Sequence, residues 1–365
     1  MTMGFTCGIV GLPNVGKSTI FNALTASGAE VANYPFCTIE PNIGIVNVPD
    51  SRLSELARLI KPKKVTPTVL QFLDIAGLVK NASKGEGLGN QFLGYIRNVD
   101  AIAHVVRCFE GEDVVHLSGA VDPERDIDIV NTELILADLE NLEKRMAKIE
   151  RLVKTGGKLE AGRLAVYRKI HAVLNEGRMA ASLAFQGDDL RTFTELQLLT
   201  TKPLFYVANV DERSLGGEGH LRALEEKARE MNVSVVPICG ALEAEIAQLP
   251  EGDRAAFKKD FGLEESGLER LVKIGYEILD LVTFFTTVSG ELRAWTVPRG
   301  TAAPAAAGKI HSDMERGFIR AEVVSYEDFL SCGSELSARE RGVLRSEGQD
   351  YIVQDGDVIH FRFNV

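Results

Sequence analysis

Gly11-Leu12-Pro13-Asn14-Val15-Gly16-Lys17-Ser18 is the stretch that decides how this chain is read. Two glycines five apart, followed by Lys and Ser, fit the phosphate-cradling loop pattern. Phe5 to Val10 reads as a short buried strand, and Thr19-Ile-Phe-Asn-Ala-Leu24 has helical spacing of apolar residues, closed by Gly28. The glycines let the backbone turn so that successive N–H groups and a helix N-terminus face an anion. Lys17 adds a point charge near the outer phosphates, and Ser18 offers a hydroxyl to magnesium. A merely structural strand-helix turn needs neither the Lys nor the hydroxyl. Asn14, Val15, Gly16, Lys17, Ser18 and Thr19 are therefore the candidate phosphate-site residues, with Lys17 also acting in catalysis.

The 365 residues are 45% hydrophobic, enough to bury a full core in two or three domains. The net charge of −11 argues against a generally basic nucleic-acid binder, and no DNA specificity is evident. Five cysteines without a CxxC pair suggest free thiols rather than disulfides or zinc. No charged and apolar leader precedes the first strand and no apolar run approaches membrane-spanning length, so the expectation is a cytoplasmic protein without membrane contact.

Asn33 to Thr38 reads as a turn-rich loop, Asn42 to Val48 as a strand, Arg52 to Ile60 as a short amphipathic helix and Val69 to Asp74 as a strand ending in a carboxylate. Asp74-Ile-Ala-Gly77 resembles the second phosphate motif of P-loop NTPases, where the Asp holds magnesium through its shell and the Gly backbone meets the terminal phosphate. Thr38, on the loop between, is a third candidate magnesium residue. Lys80 to Gly89 is glycine-rich, as a switch loop would be. Ala101–Arg107, Leu204–Asn209 and Val233–Ile238 are further strands, so the fold class is an open α/β sheet with phosphates at the strand carboxyl ends. From Ile135, the residues Leu139, Leu142, Met146, Ile149 and Val153 recur at steps of four and three, and Val166, Ile170 and Val173 continue the spacing after Thr155-Gly-Gly. An inserted antiparallel helical hairpin is expected. Lys144 to Lys169 carries nine Lys/Arg against two Glu; a charge run is commonly a solvated helix face, and its concentration at a projecting tip makes RNA phosphate contact an equal alternative. After Leu281 come short strands, making a small α+β domain with Thr301 to Ala307 as an Ala/Pro-rich loop.

The P-loop, the Asn33–Thr38 loop, Asp74-Ile-Ala-Gly-Leu78, Asn209-Val-Asp-Glu212 and Tyr351-Ile-Val-Gln-Asp-Gly-Asp-Val-Ile-His-Phe361 together resemble the Obg-like ATPases of the YchF family, over essentially the whole length. The resemblance implies a P-loop domain in two parts, 1–120 and 201–280, a coiled-coil insertion over 121–200, and a β-grasp TGS domain over 281–365. It also implies association with the ribosome and its RNA and a role in translation or stress adaptation. The Gln that orients water in Ras-like enzymes is Leu78 here, which cannot do that work; the resemblance points to His116 as the replacement. Asn14 matches the Asn that helps hold potassium in cation-dependent relatives. In GTPases, Asn-Lys-x-Asp reads guanine. Here Asn209, Val210 and Glu212 stand at those positions, an altered motif that leaves guanine's donors poorly paired, and the resemblance implies ATP as the preferred substrate. Two alternatives stand beside the ATPase reading: an Obg-type GTPase in ribosome assembly, and a nucleotide-gated binding module with negligible turnover.

Overall fold

The strand Ala101–Arg107 is buried at every position, which is what a strand needs when helices cover both faces of a parallel sheet. The computed structural model describes residues 5–26, 42–75, 88–110, 120–154, 158–261, 263, 265–288 and 290–364. In chain order its strands are β1 (Thr6–Val10), β2 (Asn42–Asn47), β3 (Lys64–Thr66), β4 (Val69–Asp74), β5 (Ala101–Arg107), β6 (Leu204–Asn209), β7 (Val235–Ile238), β8 (Leu281–Val288), β9 (Glu291–Pro298), β10 (Phe318–Val324), β11 (Arg345–Glu347) and β12 (Val358–Phe363). They form two six-stranded sheets, in the orders β2-β4-β1-β5-β6-β7 and β11-β10-β12-β8-β9-β3. The chain divides into two compact units, one of Thr6–Gly44 and Phe72–Leu271, the other of Met1–Phe5, Ile45–Gln71 and Val272–Val365.

In the first sheet β1 runs parallel to β5, β5 to β6 and β6 to β7. The register pairs Arg107 with Asn209 and Asn209 with Ile238, so the chain leaves β5, β6 and β7 at one edge. That edge is where an open α/β sheet binds its ligand. The helix Lys17–Ala26 follows the P-loop and buries Ile20, Phe21, Ala23 and Leu24.

The helices Pro123–Lys154 and Lys158–Asn175 form the expected pair. Their sense is antiparallel: Glu150 pairs with Arg168, and Glu143, about two turns earlier, with His171 further along. The predicted stripe lies between them, with Leu142, Val166 and Ile170 buried and Leu139, Met146 and Ile149 packed beside them. Lys148, Arg151 and Lys154 are exposed. At the base, buried Asp138 accepts from Leu199 N, Thr200 N and Thr200 Oγ1 at 3.0, 2.8 and 2.7 Å, tying the long helix to the segment that enters β6.

In the second sheet β8 and β9 are an antiparallel hairpin, β12 joins β8 in parallel and β10 pairs β12 antiparallel. Each face has its own core. Phe284, Val297, Ala321, Ile359 and Phe361 pack with Ala303, Ala306 and Ala307 on one side; Phe285, Leu292, Val324 and Val358 pack with Leu53, Leu56 and Phe329 on the other. Two sequence expectations change here. Thr301 to Ala307 is not simply a loop, because a helix runs over Ala303–Ile310 with Pro304 in its first turn, where proline is well tolerated and alanine is the strongest helix former. Residues 64–66, unmarked in the sequence, form β3 and extend the C-terminal sheet beside β9.

A candidate nucleotide site

The P-loop backbone is turned by three left-handed residues, Gly11 at φ 154°, Asn14 at 61° and Gly16 at 93°. Gly11 is required: a Cβ there would lie 2.5 Å from Val105 O. At Gly16 a Cβ would overlap the Asn209 side-chain amide. Asn14 is a residue that tolerates the left-handed region through its short polar side chain. Lys17 is buried, and its Nζ donates to Gly11 O at 3.0 Å and Leu12 O at 2.7 Å, so the ammonium already lies against the loop. Burial lowers its pKa to about 8, while the neighbouring Asp74 charge partly restores it. Burial likewise raises Asp74, against the pull of Lys17. Both groups are thus less stably charged than in water, a condition that a phosphate with its metal would reverse.

Ser18 and Thr19 are exposed at the helix start and Asp74 is half-buried at the end of β4. A hydroxyl and a carboxylate are hard oxygen donors, and this pair fits magnesium. Thr38, Gly77, Leu78 and His116 lie outside the described residues, as do the Asn33–Thr38 loop and most of the Lys80–Gly89 loop.

A cleft of about 500 Å³ adjoins the loop, lined by Gly16, Thr19, Phe109, Asn209, Val210, Asp211, Glu212, Arg213, Cys239, Gly240 and Ala241. It brings the base-motif residues to the P-loop. Asn209 is buried, donating from Nδ2 to Val15 O at 2.9 Å and accepting at Oδ1 from Gly240 N at 3.1 Å. The expected base-reader is therefore first a clamp between the P-loop and the strand β7 edge. Each amide atom keeps one further hydrogen-bonding position for a ligand. Val210 is buried at 2% exposure, and Glu212 is exposed on the rim. The Asp211 carboxylate accepts from Ser214 N at 2.8 Å, and hydrogen bonding from Ser214 holds it below the usual carboxylate range.

Phe109 and the helix start at Cys239–Ala241 carry no signal in the sequence. Phe109 is braced by Arg107, whose Nε donates to Phe109 O at 3.1 Å and whose guanidinium carbon lies 4.6 Å from the ring centroid. Topology could have found them, since both segments follow strands at the same carboxyl edge as Asn209.

A family model described as "50S ribosome-binding GTPase" matches residues 6–151, and the YchF-GTPase C-terminal model matches residues 281–364. The chain is 52% identical over 363 residues to the "Ribosome-binding ATPase YchF" of Pasteurella multocida, and 51% identical over 366 residues to that of Bacillus subtilis, with 100% of each chain covered. The solved YchF GTPase of Schizosaccharomyces pombe superposes with a TM-score of 0.88 at 35% identity, over 98% of this chain and 97% of that one. A GTP-binding protein of Pyrococcus horikoshii shares the fold with a TM-score of 0.63 at 19% identity. No helix among the described residues is long and apolar enough to cross a membrane.

Proposed function

The chain belongs to the YchF family, and from that premise we propose that it is a cytoplasmic, ribosome-associated nucleoside triphosphatase that hydrolyses ATP in preference to GTP and uses the nucleotide as a switch. The observation that carries the reading is the cleft joined to the P-loop, with apolar Val210 where guanine-specific sites have Lys. Phosphate binding falls to Lys17, the backbone N–H groups around Gly16, and Thr19. Ser18 and Asp74, with Thr38, would hold magnesium, which when bound offsets charge on the phosphate oxygens. Gly77 is assigned to the terminal phosphate through its backbone. For the base, Phe109, Val210 and Ala241 offer apolar walls, and Asn209 offers its remaining N–H and lone pair to the purine edge.

Hydrolysis without a Gln at position 78 is assigned to His116 orienting water and to potassium held with Asn14. A cation there would supply charge of the kind an arginine finger supplies, which is worth roughly 10³–10⁵ in rate. Turnover should therefore be faster in potassium than in sodium, and His116→Ala should slow it with little change in binding. Equal rates in the two salts would remove Asn14 from the mechanism, and an unchanged rate in the variant would remove His116. The charged hairpin is assigned to ribosomal RNA. Competitive titration of ATP and GTP against the purified protein tests the substrate directly, and tighter GTP binding would favour the Obg-type GTPase reading.

A further inference from the structure

Arg107 is the last residue of β5, and its side chain is one of the largest fully buried ones among the described residues. Arginine is almost never buried to this extent without a specific partner, and taking a guanidinium out of water is costly. The other positions of β5 are Ala, Ile, Ala, His, Val and Val, so a further apolar residue would fill the strand end without that cost.

What the cation touches is Phe109. Arg107 Nε donates to Phe109 O at 3.1 Å, while its guanidinium carbon lies 4.6 Å from the centre of the Phe109 ring. One planar group thus holds both the backbone and the ring of a residue two positions beyond the strand. A guanidinium can do both at once because its donors lie in its plane and its face stacks; the compact ammonium of a lysine cannot.

Phe109 is half-buried and lines the nucleotide cleft together with Asn209, Val210 and Ala241. Strand register joins these walls. Arg107 lies opposite Asn209, Cys108 N donates to Asn209 O at 2.8 Å, and Val210 N donates to Ile238 O at 2.9 Å. The bond at Cys108 is one residue short of the wall, and Arg107 carries the tie on to Phe109.

A charge balance alone accounts for less. Asp126 is 1% exposed and close enough to raise the Cys108 thiol beyond the effect of burial, so an anion does stand at this end of β5. Balancing it requires neither a stack on Phe109 nor a bond to its carbonyl.

We propose that Arg107 is a positioning residue for the nucleotide base: it holds Phe109 as a fixed wall of the cleft and acts through that ring without touching the nucleotide. The role rests on the nucleotide-site reading and deepens it, naming what orders the base end as Lys17 orders the phosphate end. Because Phe109 presents its ring to any purine, Arg107 governs affinity for the base and not the choice between ATP and GTP.

The test titrates full-length protein, with magnesium, against a non-hydrolysable ATP analogue, its GTP counterpart and inorganic tripolyphosphate, which has the phosphates without a base. Arg107→Met removes the tie. Arg107→Lys removes the flat stack but keeps a cation near Asp126, so it carries the test should the Met variant not fold. Each variant should bind both nucleotides about tenfold more weakly, a part of what base–aromatic stacking is worth, with tripolyphosphate binding unchanged. Steady-state turnover should show the loss in KM and leave kcat in place, the signature of uniform binding. On a Phe109→Ala background, replacing Arg107 should have no further effect. Unchanged nucleotide affinity overturns the proposal, and so does an additive loss on the Phe109→Ala background. An equal loss for tripolyphosphate would make Arg107 a structural cation only. If the parent binds tripolyphosphate as tightly as nucleotide, the base cleft fails and this role with it. A parent that prefers GTP but shows the expected pattern supports the role while ending the ATP preference.

Discussion

Lys17 shows how one buried charge carries opposite signs for folding and for binding. Burial lowers its pKa from 10.5 to about 8, so between those values the folded chain holds fewer protons than the unfolded chain. Its contribution to stability therefore rises with pH across that window. Phosphate binding needs the charged form, so nucleotide affinity should fall above pH 8, by up to roughly tenfold per unit. An affinity that is flat from neutral pH into the alkaline range would mean that Lys17 does not face the phosphates. Lys17→Ala should abolish tight triphosphate binding and hydrolysis while the fold persists, and near-normal turnover in that variant would end the P-loop assignment. Val210 is buried beside the cleft and Glu212 stands at its rim, so Val210→Lys combined with Glu212→Asp should shift preference toward GTP. A site that pairs its substrate's polar groups well can discriminate by roughly 10⁴–10⁵; the altered motif forgoes much of that lever. Competition between ATP and GTP in parent and variant measures the shift, and an unchanged ratio would remove Val210 and Glu212 from base selection. The phosphate loop was legible because its residues lie in one run. Phe109 and the two hydrogen bonds of Asn209, to Val15 O and from Gly240 N, were not, because they join segments far apart in the chain.

Among the elements, the helical hairpin was legible because its apolar period is local, while its function rests on the opposite face. Lys148, Arg151 and Lys154 are exposed, whereas Glu150 and Glu143 are used in pairs across the two helices. Exposed pairs of that kind are worth about 0–1 kcal/mol, so the cations can change partner at little cost. Reversing charge at Lys148, Arg151, Lys154 and Lys158 should weaken ribosome or RNA association and flatten its salt dependence, because each lost phosphate contact removes counterion release. A salt series that is the same in parent and variant would reduce the hairpin to a solvated arm. The buried strands β5 and β6 were equally legible, as continuous apolar runs bounded by turn residues. The helix Ala303–Ile310 was not, because Pro304 and the alanines resemble loop composition until proline is placed in the first turn. β3 escaped notice for another reason: three residues, Lys64-Val-Thr66, carry no period, and only the partner strand β9 makes them a strand.

For the molecule as a whole, the least legible feature is that the C-terminal unit is discontinuous, drawing Ile45–Gln71 from the first fifth of the chain. The family model stops at residue 281 on its N-terminal side, and the sequence likewise places a boundary there, because strand patterning begins at that point. Packing requires more. Leu53 and Leu56 from the helix Ser51–Ile60 are 7% and 0% exposed in the core made by Phe285, Leu292, Val324, Phe329 and Val358. β3 covers the edge of β9 through the register Lys64 to Glu291, Val65 to Leu292 and Thr66 to Arg293. Arg52 adds a link to Asp355 at 2.8 Å, and Tyr276, just before the apparent boundary, bonds Thr283 Oγ1 at 2.5 Å. Burying two leucines contributes about 1.5–3 kcal/mol each, against a total of about 5–15 kcal/mol for a domain. A fragment covering 281–365 alone would lose that contribution, open an apolar patch over Phe285 and Leu292, and expose β9 as an unpaired edge, the condition that favours aggregation. We therefore expect this fragment to unfold without a sharp transition and to bind a hydrophobic dye, with weak near-ultraviolet signal from Trp295, the chain's one tryptophan. A fragment of 267–365 fused through a flexible linker to 45–71 should recover a cooperative transition and the Trp295 signal, since it restores the helix, β3 and Tyr276 together. Cooperative unfolding of 281–365 by itself, at a midpoint equal to that of the fused form, would show that residues 45–71 rest on a completed domain and are not part of its core.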